Sequence, residues 1–116
     1  VLPGGEPGTT NLENSSFLKE LLLEHAGHQK LLAAICAAPR VLDKIGLLEG
    51  KKATSYPSNK SRMTNCNYIE EAVVQDKNLI TSRGPGTAAE FSFKILENLS
   101  DPRFVDALRK AMLFSR

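Results

Sequence analysis

Few residues in this chain have side chains suited to chemistry, and one of them, Cys36, stands in an unusual setting. It closes the run Leu31-Leu32-Ala33-Ala34-Ile35 and is followed by Ala37-Ala38-Pro39. A short, continuous apolar run reads as a strand buried on both faces of a parallel sheet. Pro39 sits where a first helical turn tolerates proline, and Val41, Leu42 and Ile45 carry a helix on to Gly46. Cys36 is therefore expected at a strand-to-helix junction, beside the first free N–H groups of a helix, whose partial positive charge would stabilise a thiolate. A sharp turn of this kind needs small neighbours, and Ala33, Ala34, Ala37 and Ala38 supply them, much as glycines flank the serine of a hydrolase elbow. Cysteine is also among the most buried residue types, so a packing role stands beside the reactive one. Pattern alone leaves both open.

The other candidates carry less. His25 and His28 could share one helix face, but a metal would need ligands that the segment does not supply, so both are read as solvated and no metal is expected. Cys66, between Asn65 and Asn67, is read as an exposed loop thiol rather than a resolving cysteine. Gly4-Gly5 lacks the further glycines and the lysine of a phosphate loop. Tyr56 either closes a pocket or packs on it.

These residues need elements to position them. Val1-Leu2 reads as the end of a buried strand running into the Gly4-Gly5 turn, and a polar stretch follows to Asn14. Phe17, Leu18, Leu21 and Leu22 then repeat with helical period until Gly27. Lys52–Tyr56 predicts a strand, followed by a polar loop or short helix to Met63. Ala72-Val73-Val74 and Leu79-Ile80-Thr81 read as a hairpin across Gln75-Asp76-Lys77-Asn78. Thr87 with Glu90 has the form of a capping box before a helix whose apolar face is Ala88, Phe91, Ile95, Leu96 and Leu99. Asp101 caps a last helix with Pro102 at its first position and Phe104, Val105, Leu108 and Met112 on its apolar side. This alternation predicts a single α/β domain over residues 1–116: a flavodoxin-like, doubly wound, mostly parallel sheet with helices on both faces. Function then belongs at the carboxyl ends of the strands, where Gly4-Gly5, Cys36 and Gly84-Pro85-Gly86 fall.

Composition excludes several classes. With 41% apolar and 24% charged residues, the chain has the balance of an ordinary globular protein. Its formal charge of +2 is scattered without an aromatic-interleaved basic stripe, so nucleic acid is not expected as a partner. No apolar run approaches the ~20 residues that cross a bilayer, and no leader pattern is evident. Two cysteines at unrelated spacing make neither a disulfide framework nor a zinc site, which favours a reducing, cytoplasmic setting.

Three segments together carry a resemblance: Leu2-Pro3-Gly4-Gly5, Ala33-Ala34-Ile35-Cys36-Ala37-Ala38-Pro39, and Thr81-Ser82-Arg83-Gly84-Pro85-Gly86-Thr87. In order and spacing they resemble the signature segments of the parkinsonism-associated deglycase family within the ThiJ/PfpI superfamily, and the likeness runs from Val1 to about Leu113. The resemblance implies a nucleophilic, oxidisable Cys36 and an oxyanion-binding N–H at Gly5, with Ala37 as a second donor. It puts Gly4, Tyr56, Arg83, Gly84 and Pro85 at the pocket. It also implies a homodimer, no cofactor, and a small aldehyde or glycated substrate. The family's acid/base glutamate belongs to a loop upstream of Val1, so the chain is expected to be the C-terminal part of the domain. A leading βαβ portion would lie elsewhere, in a separate chain if the domain is nicked, and residues 1–116 alone are not expected to form a stable monomer. Some members of the family carry a histidine near the cysteine at the position of Tyr56, and peptidase-like relatives have one directly after the nucleophile, where this chain has Ala37, so the resemblance argues against a Cys-His peptidase pair.

The expected function is a cofactor-free, cysteine-dependent glyoxalase or deglycase acting on methylglyoxal or its early adducts and protecting against oxidative stress. One alternative is a non-catalytic redox sensor or chaperone working through oxidation of Cys36. A hydrolase or amidase on the same fold is another, and fold alone does not choose among them.

Overall fold

The computed structural model describes residues 1–114. The chain passes through α1 (Gly8–Glu13), α2 (Ser16–Gly27), β1 (Leu32–Ile35), α3 (Pro39–Lys44), β2 (Lys52–Ala53) and a 3₁₀ turn at Pro57–Arg62. It continues through β3 (Asn67–Tyr68), β4 (Val73–Asp76), β5 (Leu79–Ser82), a 3₁₀ turn at Pro85–Thr87, α4 (Ala88–Leu99) and α5 (Pro102–Ala111).

The alternating residues of β1 explain why its sequence is apolar throughout. Leu32 and Ala34 pack on one side with Leu22, Val41 and Leu42, while Ala33 packs on the other with Ile80 and Phe91. Side chains on a strand point to opposite faces in turn, so a strand covered on both faces needs apolar residues at every position. β1 pairs in parallel with β5, Leu32 opposite Leu79 through Ile35 opposite Ser82. Leu2 adds a parallel bridge on the other edge of β1, its N–H donating to Ala33 O at 2.8 Å and its carbonyl accepting from Ile35 N at 3.2 Å. β4 closes the far side antiparallel to β5, and β2 pairs in parallel with β3. The result is the flavodoxin-like α/β arrangement expected, with a mixed sheet and helices on both faces. Its strands β1 and β5 end side by side at Ile35 and Ser82, next to Cys36 and Arg83.

Several local expectations change. The polar stretch before Asn14 holds a helix, α1, started by Thr9, whose N–H and hydroxyl both donate to Gly5 O at 2.8 Å. In α2 the buried stripe is Leu18, Leu22 and Ala26, spaced i, i+4, i+8, which turns Phe17 and Leu21 to solvent. The hairpin turn is tighter than expected, because Gln75 and Asp76 extend β4 and leave Lys77-Asn78 as the loop. Strand β3 was not anticipated, being too short and polar to signal itself.

The Thr87–Glu90 capping box does not form. Thr87 Oγ1 turns back instead, accepting from Gly84 N at 3.1 Å and Arg83 N at 3.3 Å, and meets Ser82 Oγ at 2.6 Å. Glu90 Oε1 accepts from Arg109 at 2.5 Å. Arg109, buried on α5, lies 4.4 Å over the Phe93 ring, and this contact replaces part of the expected apolar side. Phe104, Met112 and Leu99 are correspondingly exposed, as is Ala88. The Asp101 cap is present, accepting from Arg103 N at 2.8 Å.

Candidate active site

Cys36 takes a backbone conformation that few side-chain-bearing residues adopt, with φ +66°. A residue held in the left-handed region is strained by ~1–3 kcal/mol and persists only where its surroundings fix it. Two bonds do so: Cys36 N–H donates to Ser82 O at 3.0 Å, and Tyr56 N–H donates to Cys36 O at 2.8 Å. The end of β5 and the segment after β2 thus grip the cysteine by its main chain. Helix α3 begins at Pro39 as expected, with Ala38 as its cap, so Cys36 stands two residues before the cap.

Gly4 completes the turn. A Cβ on Gly4 would lie 2.6 Å from Cys36 Cβ and 3.0 Å from both Ala37 N and Ile35 O, so only glycine fits there. Gly5 follows with φ +90°, another position that favours glycine. Among the described residues, neither Gly5 N–H nor Ala37 N–H donates a hydrogen bond. Gly4, Cys36 and Ala37 are thus brought together, with two free donors in the same pair of turns.

The remaining candidates form a second group. Tyr56, Arg83, Gly84 and Pro85 line one cleft of about 250 Å³ with Pro57 and Thr87. The Tyr56 ring is half exposed and covers Gly84, on which a Cβ would come 3.5 Å from the ring. Arg83 Nε donates to Ser55 O at 3.0 Å, drawing the end of β5 toward the residues after β2. Cys36 does not line this cleft, and its carbonyl accepts from the Tyr56 N–H at its edge.

Cys66 departs from its expected place. It is half-buried, packs against the main core cluster and lies beside Asp43, which is only 1% exposed. Burial, then the Asp43 charge, pushes the Cys66 thiol up, and burial likewise raises the Asp43 carboxyl. His25 is half-buried, its Nε2 3.0 Å from Leu31 O, rather than solvated, whereas His28 is exposed at the end of α2. Among the described residues no three His, Cys, Asp or Glu side chains converge as a metal site, and no helix is long and apolar enough to cross a membrane.

One residue beside the site was not foreseen. Arg40, 5% exposed, follows Pro39 in a mostly buried helix and bonds to Glu6, Thr10, Glu13 and Asn59. The signal was present, because an arginine inside a buried helix demands carboxylate partners. Their identity depended on how the loops fold back.

An α/β sheet with a cysteine at a left-handed strand-to-helix turn, met by a glycine from the neighbouring strand's loop, defines a narrow class of protein. The chain belongs to the DJ-1/PfpI family, which it matches over residues 1–98. It is 48% identical over 115 residues to Protein dj-1beta of Drosophila melanogaster, covering 97% of this chain and 62% of that one. It is 36% identical over 118 residues to the glutathione-independent glyoxalase DJR-1.2 of Caenorhabditis elegans, covering 100% of this chain and 62% of that one. The crystal structure of Drosophila melanogaster DJ-1beta superposes with a TM-score of 0.93 at 45% identity, over 97% of this chain and 62% of that chain. The chain thus spans under two thirds of the length of these relatives.

Proposed function

We propose that this chain carries the nucleophile of a cofactor-free glyoxalase or deglycase acting on methylglyoxal or its early adducts. The observation that carries the reading is the strained Cys36 turn packed against Gly4, with the unbonded N–H groups of Gly5 and Ala37 beside it. A relative named as a glutathione-independent glyoxalase supports the choice of reaction. The Cys36 thiolate adds to the aldehyde carbon, the C=O π pair moves to oxygen, and the N–H groups of Gly5 and Ala37 hold that oxyanion until it takes a proton as a hemithioacetal. Going on to product then requires a general acid–base that moves protons at the hemithioacetal. The Tyr56–Arg83–Pro85 cleft would border the substrate.

The test is turnover of methylglyoxal by the intact protein without added metal or cofactor. Cys36→Ser should lower it by at least about a hundredfold with the fold retained, because a hydroxyl stays protonated at neutral pH. Full activity in Cys36→Ser, or loss of wild-type activity with a chelator, would remove the reading. The second reading is a redox sensor or chaperone. The same unbonded N–H pair favours it, since these donors would equally hold a Cys36 sulfinate.

A further inference from the structure

Arg40 ties its own helix to two pieces of chain that are remote from it in sequence, residues 6–13 and the turn that holds Asn59. Its Nε donates to Glu13 Oε1 at 2.8 Å, NH1 to Asn59 Oδ1 at 2.8 Å, and NH2 to Thr10 Oγ1 at 3.2 Å and to Glu6 Oε1. Glu13 and Thr10 belong to α1. Asn59 lies on the 3₁₀ turn that begins after Tyr56, the residue bonded to Cys36 O, and Asn59 N–H donates to Tyr56 O at 2.9 Å. Glu6 is the residue immediately after Gly5. Its other oxygen accepts from Thr10 Oγ1 at 2.7 Å, and the Thr10 hydroxyl, followed by Arg40, holds the Glu6 carboxyl below the usual carboxylate range. A planar guanidinium distributes donors in a fixed fork, so it can set the mutual position of several acceptors as a lysine cannot.

The Gly4-Gly5 turn needs such a fastening. The sheet holds it through Leu2, and after Gly5 the chain is free of the sheet until α1. Between those points the Gly5 carbonyl is tied to Thr9, within the same loop, while the Arg40–Glu6 pair ties the loop to the helix that follows Cys36. The Arg40–Glu6 pair is thus a tie from the residue next to Gly5 to an element outside the loop. We propose that Arg40, through Glu6, is a positioning residue that fixes the Gly5 N–H relative to the Cys36 thiol. The inference rests on the reading of Gly5 as an oxyanion donor. An oxyanion donor misplaced by a fraction of an ångström weakens the transition state more than the bound ground state, so the loss belongs in kcat rather than in KM.

Glu6→Ala is the decisive variant, because the Glu6 side chain is 49% exposed and its removal leaves no buried gap. The intact protein, Glu6→Ala and Glu6→Gln would be compared for methylglyoxal kinetics, thermal unfolding, and hydrogen exchange at the Thr9 amide, which bonds to Gly5 O. Glu6→Ala is expected to lose between about tenfold and a hundredfold in kcat with KM nearly unchanged. Thr9 exchange should quicken by about tenfold and the unfolding midpoint should hold. Glu6→Gln keeps an acceptor for Arg40 and should recover most of kcat. An unchanged kcat in Glu6→Ala, or a loss confined to the unfolding midpoint, would overturn the inference. If the wild type itself fails to turn methylglyoxal over, the functional reading falls, and the clamp is then judged on Thr9 exchange alone: faster exchange upholds it and unchanged exchange overturns it.

Discussion

Cys36 and Cys66 are equally half-buried, yet their surroundings differ in kind. Cys36 is fixed by main-chain groups: Ser82 O, Tyr56 N–H and the bare backbone of Gly4. Cys66 packs on the core cluster that includes Met63 and Ala53, its thiol donating to Met63 O at 3.8 Å beside the buried Asp43. The first arrangement leaves the N–H groups of Gly5 and Ala37 unbonded in the same pair of turns. The second places a carboxylate and low-dielectric packing against the sulfur, which keeps it a thiol. Exposure alone would not have separated the two, because the polar groups facing each sulfur decide its chemistry.

The sharpest way to break the contrast is to give the Cys36 turn a side chain it has no room for. Gly4→Ala forces backbone to move at a 2.6 Å contact, and it should cost about 1–3 kcal/mol or more and abolish any Cys36-dependent activity. Gly8→Ala, where an added Cβ meets nothing within 4 Å, is the control and should leave the denaturation midpoint within about 0.5 kcal/mol of wild type. Equal effects at the two glycines would mean that the turn is not tightly packed.

The next test sets the thiols against each other. Under mild peroxide, mass spectrometry should find Cys36 oxidised at least about tenfold faster than Cys66. Preferential oxidation at Cys66 would reverse the contrast.

Removing the charge beside Cys66 should then narrow the gap. Asp43→Asn relieves the thiol of a neighbouring anion, so alkylation of Cys66 near pH 8 should rise by about three- to tenfold while Cys36 is unaffected. The same substitution carries a pH signature. Burial raises the Asp43 carboxyl in the folded chain above its reference value of 3.8. Stability from protonated Asp43 is therefore complete below that value and lost as pH rises through the folded pKa. Wild type should lose stability relative to Asp43→Asn over this interval, and a flat difference in pH-dependent denaturation would show that Asp43 is not desolvated.

The smallest effect belongs to the surface between the two regions. Lys60 pairs with Glu70 at 3.0 Å and lies 5.6 Å from the Tyr68 ring centroid, with both charged side chains well exposed. Lys60→Ala should change stability by no more than about 0.5 kcal/mol, read from chemical denaturation. A larger loss would mean that Tyr68, which packs against the same core cluster as Cys66, depends on that pair.

The sequence by itself determined the elements whose causes are local. An apolar run covered on two faces had to be a buried strand, Pro39 and Asp101 marked helix starts, and the alternation of strand and helix led to the α/β sheet. The position of Cys36 between strand and helix was legible for the same reason, since small residues and a proline on either side dictate a sharp turn. What only the tertiary structure decided were the partnerships across the chain. Glu90 might have capped its own helix, but Arg109 reached it from α5 and left Thr87 to tie Ser82, Arg83 and Gly84 together. Cys66 sits among polar residues in sequence, yet the fold lays it on the core beside Asp43, so its neighbours in space rather than in sequence set its ionisation. Arg40 is the strongest case. A buried guanidinium has to be neutralised, but which carboxylates do so depends on where α1 and the Glu6 turn come to rest, and no residue spacing encodes that meeting.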